Sequence, residues 1–165
     1  MENPKYEISA AVDEALQEDF PEDGLSLYLK SWVVQGYRRQ VTDELILAIQ
    51  GSEDSDIRFN ALEIIYFLHG TPGKIIAPGM EDPRPENAQW DEPLTDKQLA
   101  ALADAALAEE DRLNWDSYAS FFSILAGFMT FPPAIATKIK SFAERCVTQG
   151  SENARARCMS LMRLR

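Results

Sequence analysis

Ser55-Asp56-Ile57-Arg58-Phe59-Asn60-Ala61-Leu62-Glu63-Ile64-Ile65-Tyr66-Phe67-Leu68-His69-Gly70 is the stretch that decides the fold of this chain. Ile57, Ala61, Ile64, Ile65 and Leu68 recur at helical spacing, while Phe59, Leu62 and Tyr66 widen the apolar surface beyond one stripe. Ser55-Asp56 suits a helix start. His69-Gly70, with Pro72 beyond it, suits a helix end, because glycine adopts the left-handed turn that closes a helix at no steric cost. A helix this apolar is predicted to be central, with other helices packed around it.

Upstream, the same periodicity recurs. Ile8, Ala11, Val12, Ala15 and Leu16 form a stripe that stops at Phe20-Pro21, and a denser apolar segment predicts a helix from about Leu25 to Arg39. A third helix is expected to open at Thr42-Asp43-Glu44, carry Leu45, Ile46, Ala48 and Ile49, and stop at Gly51. Downstream, residues 71–94 hold Pro72, Pro78, Pro83, Pro85 and Pro93 with Gly73 and Gly79, which rules against a helix or central strand and predicts a loop. Helices resume at the capping box Thr95-Asp96-Lys97-Gln98, then over Trp115 to Met129, from Pro132-Pro133, and after Gly150-Ser151. Strand alternation is nearly absent. The uncharged run from Ser117 to Thr137 approaches the length of a membrane span, but Pro132-Pro133 is expected to break it into two core helices.

The expected fold is therefore all-α, one domain over residues 1–165 with about eight helices in antiparallel pairs. Gln50-Gly51-Ser52-Glu53 returns as Gln149-Gly150-Ser151-Glu152, each time between two expected helices and followed by an Arg and an amphipathic helix. With the Pro-rich loop 71–94 between halves at about 4–70 and 95–165, this arrangement resembles HEAT-like or armadillo-like stacked helical arrays.

Charge is divided unevenly. Residues 1–116 carry 25 Asp+Glu against 9 Lys+Arg, a net −16, and residues 117–165 carry 2 against 7, a net +5. An acidic surface of that size suits a positively charged partner and argues against direct nucleic-acid binding, which needs cations to displace the counterions of the phosphates. The N-terminal residues lack the basic and apolar regions of a secretory signal, and Cys146 and Cys158 fall on apolar helical stripes as buried reduced thiols would. A cytoplasmic protein with no membrane span is expected.

The search for chemistry is short. One histidine, His69, excludes sites with two histidine ligands, and its place at a helix end predicts a capping or dipole role. Cys146 and Cys158 lack the spacing of a zinc site, Thr71-Pro72-Gly73-Lys74 lacks the rest of a P-loop, and Glu53-Asp54-Ser55-Asp56 lacks the ligand series of a calcium loop. Glu109-Glu110-Asp111 is expected to be solvated. No catalytic residue, cofactor or metal is assigned, and a non-enzymatic role is expected. What remains is surface: Trp90 ringed by Glu81, Asp82, Glu86, Asp91 and Glu92 in the loop, and Glu53, Asp54 and Asp56 at a helix junction, are the candidate partner-binding residues.

A small, acidic, all-helical chain of this composition resembles bacterial immunity proteins, antidotes made alongside antibacterial toxins. The resemblance implies direct binding to a cognate, basic toxin domain: carboxylates steer association, and an apolar anchor such as Trp90 slows dissociation. The alternative is a HEAT-like adaptor or regulatory subunit that binds a host-cell protein along its helix faces.

Overall fold

The computed structural model of the chain describes residues 5–17, 32–33, 36–69, 94–127 and 129–164. Every regular element among them is a helix: α1 (Lys5–Gln17), α2 (Arg38–Gly51), α3 (Ser55–His69), α4 (Asp96–Ala108), α5 (Arg112–Ala126), α6 (Pro133–Gln149) and α7 (Glu152–Leu161). They fall into two compact units, Met1–Leu94 and Thr95–Arg165.

In the first unit α1 lies against α2 and α3, and α2 packs along α3. The stripes expected from periodicity are the ones buried: Ile8, Ala11, Val12, Ala15 and Leu16 of α1 meet Leu45, Ile46 and Ile49 of α2 and Ala61, Leu62, Ile64, Ile65 and Leu68 of α3. Each fully buried Leu or Ile contributes about 2 kcal/mol of transfer free energy, which makes this three-helix seam the main source of cohesion among the described residues of the unit. Polar bonds fix the register. Asn60 Nδ2 donates to the Leu16 carbonyl at 3.3 Å, and the buried Arg38 guanidinium donates to the Leu68 carbonyl, one of the orphan acceptors that a helix leaves in its last turn.

Three expectations fail in this unit. The helix expected from Leu25 to Arg39 lies mostly outside the described residues, and the part within them does not run through to Arg39. Gly36 takes φ +99° and donates to the Val33 carbonyl, so the chain turns there before α2 starts at Arg38. Thr42 does not open α2: it sits inside the second turn, donating its hydroxyl back to the Arg38 carbonyl at 2.9 Å. His69 caps nothing. Its Nε2 lies 2.8 Å from Thr42 Oγ1 with the ring buried, so the pair joins α2 to α3 in the interior.

In the second unit α6 packs against both α4 and α7, and α7 also packs against α5. Tyr118, Phe121 and Phe122 of α5 and Phe142 of α6 form an aromatic centre with ring centroids 5.9–6.0 Å apart, two of the contacts edge-on, the arrangement ring quadrupoles favour. Helix ends follow their sequence signals. Thr95 and Gln98 form the reciprocal capping box, Pro132 precedes α6, and Ser151 Oγ accepts the Ala154 amide at 3.1 Å. Pro132 and Pro133 separate α5 from α6, so the uncharged run becomes two helices, and among the described residues none is long and apolar enough to cross a membrane.

Acidic residues 109–111 are not merely solvated. Glu109 is buried, with its carbonyl accepting the Trp115 indole at 2.8 Å, and Asp111 caps α5 by accepting the Leu113 amide at 2.9 Å. Helix α5 therefore begins at Arg112, three residues before the expected start. Arg145 lies 4.4 Å over the Trp115 ring and donates to the Leu107 carbonyl at 2.8 Å. The second unit thus repeats the device of the first: an arginine on one helix satisfies the open C-terminal end of another.

Candidate protein interface

The structural division moves the charge boundary to Leu94. Unit one, Met1–Leu94, holds 19 Asp+Glu and 7 Lys+Arg for a net −12, and unit two, Thr95–Arg165, holds 8 and 9 for a net +1. Acidity is a property of the first unit. The potential that would steer a cationic partner is concentrated there.

Of the residues expected to bind a partner, Glu81, Asp82, Glu86, Trp90, Asp91 and Glu92 lie outside the described residues. Glu53, Asp54 and Asp56 occupy the link between α2 and α3, where their local geometry separates two jobs. Asp54 Oδ1 accepts the Asp56 amide at 2.9 Å and so caps α3, while its own amide donates to Ser52 Oγ at 3.2 Å. Arg58 clamps the link by donating to the Ser52 carbonyl at 3.0 Å. Asp54 is thereby part of the fold. Glu53 and Asp56 project as exposed carboxylates on a braced corner, and Phe59, one turn into α3, stands 37% exposed beside them.

A second acidic feature lies on the helix faces. Lys5 and Ile8 of α1 and Gln40, Asp43, Glu44 and Leu47 of α2 line an open groove of about 340 Å³. The α2 residues are spaced i, i+3, i+4, i+7, a single helix face. Ile8 forms an apolar floor at 1% exposure, and Leu47 forms an apolar wall at 56%. Tyr6 of α1, which does not line the groove, is 85% exposed. Exposed apolar side chains next to carboxylates are what a protein interface needs before its partner arrives. The sequence does hold this signal, since Leu47 interrupts the polar face of α2 at helical spacing from Asp43 and Glu44.

The single histidine and both cysteines are built inward. Burial, reinforced by Arg38 and Arg39, holds the His69 pKa well below its ordinary range, so the ring is neutral at pH 7. Cys146 and Cys158 are free, buried thiols that share a hydrogen bond, and that bond together with burial pushes the Cys146 thiol far up. Among the described residues no three His, Cys, Asp or Glu side chains are placed to hold a metal. No protein-family model, curated protein or solved structure matches the chain.

Proposed function

We propose that this chain is a non-catalytic, acidic protein-binding protein of the immunity class, which neutralises a cognate basic toxin by direct contact. The observation that carries this reading is the net −12 of the first unit together with exposed apolar side chains at its acidic corner and groove. Carboxylates such as Glu53, Asp56, Asp43 and Glu44 draw in a cationic domain, and Phe59, Leu47 and Tyr6 supply the apolar contact that holds it. Trp90 and its acidic neighbours in 71–94 extend the same chemistry in this reading.

The finer fold reading, antiparallel pairs in a HEAT-like array, has support of its own. In the first unit Arg38 at the start of α2 reaches Leu68 near the end of α3, while residues 52–54 join their opposite ends. A second functional reading, an adaptor that holds a protein along helix faces, is favoured by the groove, which lies on α1 and α2 and not on a link between helices.

Growth separates the two readings. The protein encoded beside this chain is expressed in a sensitive bacterium with and without it; the immunity reading expects growth arrest that this chain relieves. Reversing Glu53, Asp56, Asp43 and Glu44 to lysine is expected to slow association of the purified pair at least about tenfold and to flatten its salt dependence. Arrest that this chain does not relieve removes the immunity reading and leaves the adaptor.

A further inference from the structure

Two exposed surfaces of this chain carry matched inventories. The groove on α1 and α2 has an apolar floor and wall, Ile8 and Leu47, one cation, Lys5, and two anions, Asp43 and Glu44. The other surface is the outer face of α7. Only Ala154, Cys158 and Leu161 of that helix are buried, so most of its circumference is open. Glu152, Arg155 and Met159 fall within about 60° of arc on that open side, because 3.6 residues make a turn, and Met162 at the C-cap and Arg163 in the turn beyond it follow them. Met159 is 53% exposed and Met162, at the C-cap, is 40% exposed.

We propose that the groove of one copy of this chain receives the outer face of α7 from a second copy. Met159 and Met162 enter over Ile8 and beside Leu47, Arg155 and Arg163 face Asp43 and Glu44, and Glu152 faces Lys5. An amphipathic helix laid in a groove is a recurrent mode of recognition, and unbranched methionine adapts to an open apolar slot better than a branched side chain does. Charge complementarity selects the occupant: the groove has one cation and two anions, and the α7 face has one anion and two cations. The two surfaces differ, so the contact is heterologous, and a pair keeps one unused α7 face on the copy whose groove is filled and one unused groove on the other copy. The proposal stands on these two faces alone and holds whatever else the acidic unit binds.

The test is sedimentation of the full chain between about 10 and 500 µM at low and moderate salt, where mass action exposes self-association. The parent is expected to gain mass with concentration and to lose that gain as salt rises. Leu47→Arg disables the groove and Met159→Glu disables the α7 face; each variant alone is expected to associate at least about tenfold more weakly. Mixed in equal amounts they are expected to form a dimer and nothing larger, because the mixture retains one good groove and one good α7 face. Asp43→Lys replaces Leu47→Arg if the latter loses helical circular dichroism. A parent that stays at monomer mass throughout, variants that associate as the parent does, or a mixture that does not recover the dimer each overturns the proposal.

Discussion

At the scale of single residues, the interior pair His69 and Thr42 ties pH to stability. The ring is buried, its Nε2 is bonded to Thr42, and Arg38 and Arg39 oppose any positive charge on it. Its folded pKa is therefore well below 6.5, whereas in the unfolded chain it returns to about 6.5. Below that pH the unfolded state binds the extra proton, so this contribution to stability is complete above about pH 7 and is lost as pH falls towards the folded pKa. Native-state hydrogen exchange of α2 and α3 amides at pH 7 and at pH 5 reads the effect locally. The parent is expected to lose up to about 1.4 kcal/mol of opening free energy per pH unit below 6.5 relative to His69→Gln, which carries no titrating ring. An identical pH dependence in the two proteins would mean that the ring takes up its proton without opening the helices. The helix-end position of His69 was readable from sequence, but its partner was not, because Thr42 lies 27 residues away and looks like a cap from its local sequence.

Individual helices show how the same short sequence can close two different joints. Gln50-Gly51-Ser52-Glu53 ends α2 at Gly51 and leaves Asp54 to cap the next helix. Gln149-Gly150-Ser151-Glu152 ends α6 at Gln149, and Ser151 itself caps α7 while donating to Asp116 Oδ1 at 2.5 Å. The two glycines consequently have opposite needs. A Cβ on Gly150 would lie 2.5 Å from the Cys146 carbonyl oxygen, a backbone atom that cannot swing aside, whereas a Cβ on Gly51 meets nothing within 4 Å. Gly150→Ala is expected to cost about 1–3 kcal/mol in chemical denaturation, while Gly51→Ala, with a negative φ at a helix end, is expected to be neutral or to stabilise by up to about 1 kcal/mol. Equal effects at both sites would show that the joints relax alike. Helix boundaries were legible at Thr95 and Ser151, where a hydroxyl writes the cap, and at Pro132-Pro133, where proline fixes the start. They were missed at Arg38, where Tyr37 provides no side-chain cap and the turn is set by Gly36, and at Arg112, where the capping Asp111 reads as one more surface acid.

For the molecule as a whole, the charge read from the sequence changes sign after residue 116, whereas the compact units divide after Leu94, at the start of the expected half 95–165, so charge and core do not share a boundary. The acidic groove was missed because a single exposed Leu47 acquires meaning only when α1 is laid beside it. Core and charge together predict how the chain can be cut. Within Thr95–Arg165, Trp115, Tyr118, Phe121, Phe122 and Phe142 are almost wholly buried, Arg145 closes the end of α4, and Thr95, Asp111 and Ser151 cap three of the four helices. A segment of roughly 70 residues lies within the size range that folds alone when its core is aromatic and its helix ends are satisfied. The fragment 95–165 is therefore expected to be helical by circular dichroism and to unfold cooperatively, with Trp115 fluorescence and ellipticity changing together. Its net charge of +1 leaves little self-repulsion, so it is also expected to be less soluble near neutral pH than the full chain at −11. Arg145→Ala in the fragment removes both the cover over Trp115 and the bond to Leu107, and a loss of about 1–3 kcal/mol is expected. A fragment that is helical but melts without a transition would mean that its aromatic centre depends on residues 1–94 to become fixed.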